Sequence, residues 1–218
     1  MSVAKPLNVA QEDDPRRREI IEIADGLLEQ DGLEGLTIRA ILQRTGLARR
    51  AFYERFGGKD DLVLAVFEYT IQNAATYFAD RINAVADPLD QLQLIVTAIA
   101  LGSAPFETAE GLSAGGGAGR RGAAMSREHL RLAESRPREL ESALRPLLDL
   151  IADLLAKGMA AGVVRPTAPA TLATLVYNLV STTVHAELLT EEPGTADQAR
   201  RAALANDLWE FCRRAIIA

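Results

Sequence analysis

The chain is poor in the residues that most often carry chemistry, with one cysteine and two histidines among 218 residues, and each scarcity excludes something. The lone Cys212 rules out a disulfide within one chain. Lying in an apolar terminal stretch, it reads as a packed thiol of a reducing compartment, so a cytoplasmic location is expected. His129 and His185 are far apart in sequence with no cysteine or histidine at metal-ligand spacing. Neither a metal site nor a cofactor is expected, and each histidine reads as satisfied or exposed. No nucleophile elbow or dinucleotide fingerprint in a strand-turn-helix setting, and no catalytic pair of carboxylates, is present, so the chain does not read as an enzyme. No apolar run is long enough to cross a bilayer. Residues 1–14 read as a flexible arm, since Met1 to Asp13 hold no arginine, no apolar core and no cleavage pattern of a secretory signal. Alternation of the kind that builds hairpins is also missing, while alanine and leucine dominate; the expected fold is all-α.

What the chain does have is concentrated between Thr37 and Leu62, TIRAILQRTGLARRAFYERFGGKDDL. A helix is expected to start at Thr37, whose hydroxyl can cap free backbone N–H groups, and to bury Ile38, Ile41 and Leu42. Gly46 suits the left-handed position that ends a helix, and Leu47 fills the angle to a second helix expected over Ala48–Phe56. Phe52 and Phe56, four apart, anchor that helix, which leaves Arg49, Arg50, Tyr53 and Arg55 for its other faces. Asp14-Pro15 is a helix start with Ile20, Ile21, Ala24, Leu27 and Leu28 as its apolar stripe, ending at Gly32. Three helices of this kind form a helix-turn-helix reading head, expected over residues 15–62, with Arg16 free to reach phosphate or a neighbouring groove.

Charge is arranged to match. The chain is acidic overall, with a formal net charge of -6, yet Thr37 to Lys59 holds six cations against one anion, leaving 18 cations and 29 anions elsewhere. A basic patch on an acidic body suits a protein that meets phosphates at one end and stays soluble over the rest.

At these residues the chain resembles the TetR family of bacterial one-component transcriptional regulators. The resemblance is carried by Thr37, Gly46, Phe52-Tyr53-Glu54-Arg55-Phe56 and Lys59-Asp60-Asp61-Leu62, and is specific over about Arg16 to Leu62. It implies that Thr37, Tyr53 and Lys59 hold phosphates and fix register, and it places Arg39, Ala51 and Arg55 on the DNA-binding segment. Arg49 and Arg50 are the candidates for base edges, because an arginine fork matches guanine O6 and N7. Two positions depart from the family pattern: Ala48 stands where a serine cap is usual, and Ala51 where a hydroxyl or glycine is common.

Residues 63–218 read as a helical ligand-binding and dimerisation body. A long helix is expected over Asp60–Ala84, and another opens at Asp87-Pro88. Seven glycines between Gly102 and Ala124, at about 1 kcal/mol each in a helix, suggest a flexible loop that is either a pocket lid or a plain insertion, with helix resuming near Ala123. Ser135 with Pro137 begins the next helix. Pro169–Leu189 and Ala196–Ile217 follow, the latter opened by Thr195 and Gln198 as a capping box. By family resemblance the last two helices pair with their copies in a homodimer, with Leu172, Leu175, Leu179, Leu204, Leu208 and Phe211 at the interface. Such a dimer spaces its reading helices about 34–36 Å apart and requires a near-palindromic operator. A pocket is implied by the same resemblance, with Phe106, Met125, His129, Tyr177, Asn178 and Ser181 as candidate lining for a largely hydrophobic effector. The expected function is a repressor released from double-stranded DNA by that small molecule. The competing reading is a helical ligand-binding or interaction protein with little specific DNA affinity; an enzyme on a helical bundle ranks third.

Overall fold

Side-chain caps set where the N-terminal helices begin. Asp14 accepts from the Arg16 N–H at 2.9 Å and Pro15 takes the first position of α1, Pro15–Gly35. The expected stop at Gly32 is visible as a break at φ 66°, after which one more turn runs to Gly35. Thr37 accepts from the Ala40 N–H at 3.1 Å and opens α2, Ile38–Thr45, and Gly46 closes it in the left-handed region at φ 67°. The second reader helix is shorter than its expected span. Helix α3 covers only Arg49–Tyr53, because Ala48 offers no capping side chain and the chain tightens after Tyr53 into a turn that brings Phe56 back over Phe52. The computed structural model describes residues 14–101, 117–190 and 197–218. The arm before Asp14, most of the glycine-rich stretch, the pocket candidate Phe106 and the cap candidate Thr195 lie outside them.

The fold is all-α, with a single isolated antiparallel bridge between Val164 and Ile217 among the described residues. The body is built from α4 (Lys59–Ile82), α5 (Pro88–Leu101), α6 (Gly117–Ser135), α7 (Pro137–Ala160), α8 (Pro169–Thr190) and α9 (Gln198–Ile216). Asp87 caps α5 through the N–H groups of Leu89 and Asp90, as the Asp-Pro pair predicts. Three expected boundaries are corrected. Helix α6 starts at Gly117 and tolerates two further glycines, since its later turns are held against α1, α7 and α8. The Ser135 hydroxyl bonds back to the Arg131 carbonyl at 2.7 Å, so it closes α6 and does not open α7. Asp197 caps α9 through the N–H groups of Ala199 and Arg200.

Two apolar clusters share α4. Ile20, Leu27, Leu28, Leu36, Ile41, Phe52 and Phe56 form the head cluster together with Leu62, Val63 and Val66 of α4. Leu64, Phe67, Ile71, Phe78 and Ile82 of the same helix belong to the body cluster, with Leu92, Ile95, Leu147, Ile151, Leu154, Val180 and Trp209. Burial of side chains of this size contributes about 1.5–3 kcal/mol each, so α4 is fixed at both ends and passes between head and body without a linker. Helix α6 does the same laterally: Ala124 lies in the head cluster, Leu132 in the body cluster, and Met125 touches both. Polar ties reinforce the junction. Arg136, between α6 and α7, pairs with Asp61 at 2.8 Å, and Asp61 also accepts from the Gly57 N–H.

Candidate DNA-reading face and body site

The reading head presents a row of cations whose side chains differ in how free they are. Arg49 and Arg50 project from the first turn of α3, because Phe52 and Phe56 take the inward positions of that segment. Arg50 is 91% exposed and reaches Glu54 at 3.0 Å, a surface pair that holds the side chain only weakly. The Arg49 guanidinium lies over the Tyr53 ring, 5.7 Å from its centroid, with the hydroxyl at 3.5 Å. Tyr53 is exposed, and its ring meets Phe52 edge-on at 5.4 Å, so a core aromatic sets its direction. Arg39 is exposed on α2, Thr37 sits at that helix's cap, and Arg16 at the start of α1 pairs with Glu19 at 2.8 Å.

Three expected contacts are engaged within the head. Arg55 is 22% exposed; its Nε meets the Asp14 carboxylate at 2.7 Å and it donates to the Ala51 carbonyl at 2.8 Å. The turn after Tyr53 carries Arg55 back across the start of α1, so it ties the head together in place of facing outward. Ala51 is half-buried and its carbonyl receives that bond. Lys59 donates to the Leu33 carbonyl at 3.2 Å, which holds its ammonium at the last turn of α1.

In the body, His129 of α6 meets two aromatic walls. Its ring lies 6.1 Å from Phe67 of α4 and 5.9 Å from Tyr177 of α8, whose hydroxyl is 3.4 Å from Nδ1. Burial, and then the nearby His185, lower the His129 pKa below its ordinary value, while burial raises that of the Tyr177 phenol. Both side chains therefore stay uncharged near neutral pH. Of the other described pocket candidates, Met125 and Ser181 lie one helical turn from His129 and from Tyr177, and Asn178 turns away. Met125 is half-buried at the junction, Ser181 bonds to the Asn178 carbonyl, and Asn178 is exposed, because one step beyond Tyr177 turns the helix by about 100°.

Sequence reading missed two buried groups of the body whose hydrogen-bonding demand is unmet. His185, expected to be satisfied or exposed, is 7% exposed with neither ring nitrogen hydrogen-bonded. Thr70 is buried on α4, one turn beyond Phe67, and its hydroxyl also lacks a partner. Their position in buried stripes was the available signal; the missing partners are a tertiary fact that no local pattern carries. The interface candidates split in the same way. Leu172 and Leu208 are buried within the chain, Leu179 and Leu204 pack against its body cluster, and Leu175 and Phe211 stand out at 59% and 63% exposure.

The family model for bacterial regulatory proteins, tetR family, matches residues 20–66. Over 85 residues the chain is 27% identical to the HTH-type transcriptional repressor KstR2 of Mycobacterium tuberculosis; the match spans 39% of this chain and 42% of that repressor's length. A TetR-family transcriptional regulator from Pectobacterium atrosepticum has the same fold at TM-score 0.71 and 17% identity, over 97% of this chain and 98% of that one. The transcriptional regulator FadR from Bacillus subtilis, solved in complex with stearoyl-CoA, superposes at TM-score 0.64 and 16% identity, over 89% and 96% of the two chains.

Proposed function

The chain belongs to the TetR family of transcriptional regulators, and from that premise we propose that it is a cytoplasmic homodimeric repressor whose head reads a near-palindromic operator and whose body takes a small, largely apolar effector. The observation that carries the reading is the exposed row of Arg49, Arg50 and Tyr53 on a short helix whose direction is set by the buried pair Phe52 and Phe56. Arginine forks on a rigid element in the major groove provide base discrimination. Tyr53, Thr37 and Arg39 are the proposed phosphate contacts. Arg16 is added at the edge of the head, at the cost of a surface pair with Glu19. The dimer reading rests on Leu175 and Phe211, large apolar side chains that gain by being covered, on the two helices that this family uses for pairing.

In the proposed cycle the free dimer holds its operator, and the effector stabilises a body conformation in which the two heads no longer fit successive major grooves. A ligand shifts that equilibrium only by binding the released form better. Helices α4 and α6 carry residues of both apolar clusters, which supports a mechanical route from body to head.

The test is selection of bound duplexes from a random pool at near-physiological salt, with an Arg49→Ala, Arg50→Ala double variant alongside. Enrichment of one inverted repeat by the wild type, broadened or abolished in the variant, is the expected result. A folded dimer that enriches nothing overturns the reading.

A further inference from the structure

Four polar side chains of the body lie in or beside its core, where apolar residues would be expected. Thr70 comes from α4, His129 from α6, and Tyr177 and His185 from α8. Thr70, Tyr177 and His185 are each more than nine-tenths buried. Their one mutual bond is the long Tyr177–His129 contact at 3.4 Å, while the His185 nitrogens and the Thr70 hydroxyl have none. A buried donor or acceptor without a partner is costly, and such groups persist in native cores where they serve a function or meet a ligand. Removing them would be simple for an apolar body: valine and phenylalanine fill the same spaces.

Among the described residues no arginine or lysine bonds to any of the four. The charged groups close by in sequence are engaged in ion pairs: Glu128, beside His129, holds Arg131 at 2.7 Å, which also reaches Asp60 at 3.4 Å, and Glu187, two residues beyond His185, holds Arg200 at 2.7 Å. A carboxylate arriving here would find no fixed cation, and a quaternary ammonium no free carboxylate. A neutral imidazole, by contrast, offers one donor and one acceptor, and a threonine hydroxyl offers both. The walls are aromatic and aliphatic: Phe67 on one side of His129, and Val180 with Tyr177 on α8.

We propose that Thr70, His129, Tyr177 and His185 are the polar end of the effector site and receive an uncharged hydroxyl or carbonyl group on an otherwise apolar molecule. This rests on the effector reading above and gives it a chemical class. The head group supplies the bonds that His185 and Thr70 lack, and the hydrocarbon part lies against the α4 and α8 walls. Charged heads of the same size are rejected because the site leaves them unpaired, a stronger discrimination than apolar fit alone provides.

The experiment uses the full chain and two matched series of probes, one on a decyl chain and one on a naphthalene ring. Each series holds an alcohol, a methyl ketone, a carboxylate and a quaternary ammonium. Binding is followed by calorimetry and by the shift of the thermal midpoint. The alcohol and ketone of at least one series are expected to raise the midpoint and to bind at least tenfold more tightly than the two charged members. Thr70→Val and His185→Phe are each expected to cost the alcohol at least tenfold and to leave the carboxylate unchanged; Thr70→Val, nearly isosteric, carries the test if the larger change disturbs folding. Charged probes that bind as tightly as the alcohol, folded variants that bind the alcohol like wild type, or no binding by any probe each overturn the proposal. Operator selection by the wild type, run in parallel, separates the two readings. A protein that selects an operator but fails the head-group comparison refutes this inference alone, and one that selects none refutes the repressor reading.

Discussion

Arg55 is expected to matter for the stability of the head and not for the electrostatics of DNA binding. Its guanidinium meets Asp14 at 2.7 Å, with both side chains only about a quarter exposed, and also bonds the Ala51 carbonyl at 2.8 Å. Replacing it by methionine keeps the aliphatic stem but deletes a partly screened ion pair and a charge-assisted bond, together about 1–2 kcal/mol. For a chain of this length that is a fall in thermal midpoint of roughly 2–8 °C, measured at fixed protein concentration. The effect should depend on pH in a defined direction. Burial pushes the Asp14 carboxyl up, but the Arg16 N–H and Arg55 outweigh it, so its pKa lies below the ordinary 3.8. A depressed carboxylate contributes stability that is complete above its unfolded value and fades as pH falls through its folded one. The gap between wild type and Arg55→Met should therefore be constant near neutrality and close in acid below about pH 4. Operator affinity measured against salt should give the same slope for both proteins, because a cation that neutralises a phosphate steepens that slope by about 0.9 and Arg55 is engaged elsewhere. An unchanged midpoint together with a slope flatter by about that amount would refute the reasoning and return Arg55 to the DNA-contacting set.

Gly46→Ala should destabilise by about 1 kcal/mol in urea unfolding: a Cβ there meets nothing within 4 Å, so the cost is the left-handed backbone alone, and Gly46→Asn should recover part of it. An equal loss from both would contradict the backbone argument. Leu175→Arg with Phe211→Arg is expected to yield a folded monomer by sedimentation, and an operator half-site affinity in place of the full one. A dimer that survives both changes would place the interface elsewhere. Arg136→Met should lower stability by about 1 kcal/mol, since its pair with Asp61 is partly buried and ties the α6–α7 joint to the first turn of α4; an unmoved denaturation midpoint would mean that the tie is idle.

Much of the head was legible because local rules govern it. The caps at Asp14 and Thr37, the left-handed Gly46 and the aromatic pair four apart each act within one or two turns, and the structure places them as the sequence suggests. Where sequence reasoning fell short, tertiary geometry decided. Arg55 looks like any other cation of its helix until the chain turns it across α1, where Asp14 is waiting. The glycines at the start of α6 predict a loop by propensity, and packing against α1, α7 and α8 outweighs that preference over the rest of the helix. Leucines spread around α8 and α9 offer no way to divide core from surface, so Leu172 and Leu208 group with Leu175 and Phe211 in the sequence although they face opposite ways. His185 escapes for a related reason: one residue in a sequence does not reveal whether its nitrogens have partners.

The continuity of α4 has a mechanical consequence. Its 24 residues make a rod of about 36 Å, pinned in the head at Leu62 and Val66 and in the body at Phe78 and Ile82. A tilt of only about 5° at one end sweeps the other through about 3 Å, close to the rise of about 3.4 Å between successive bases along a strand. In the proposed dimer two such rods turning symmetrically would add their displacements, to nearly two base steps between the far ends.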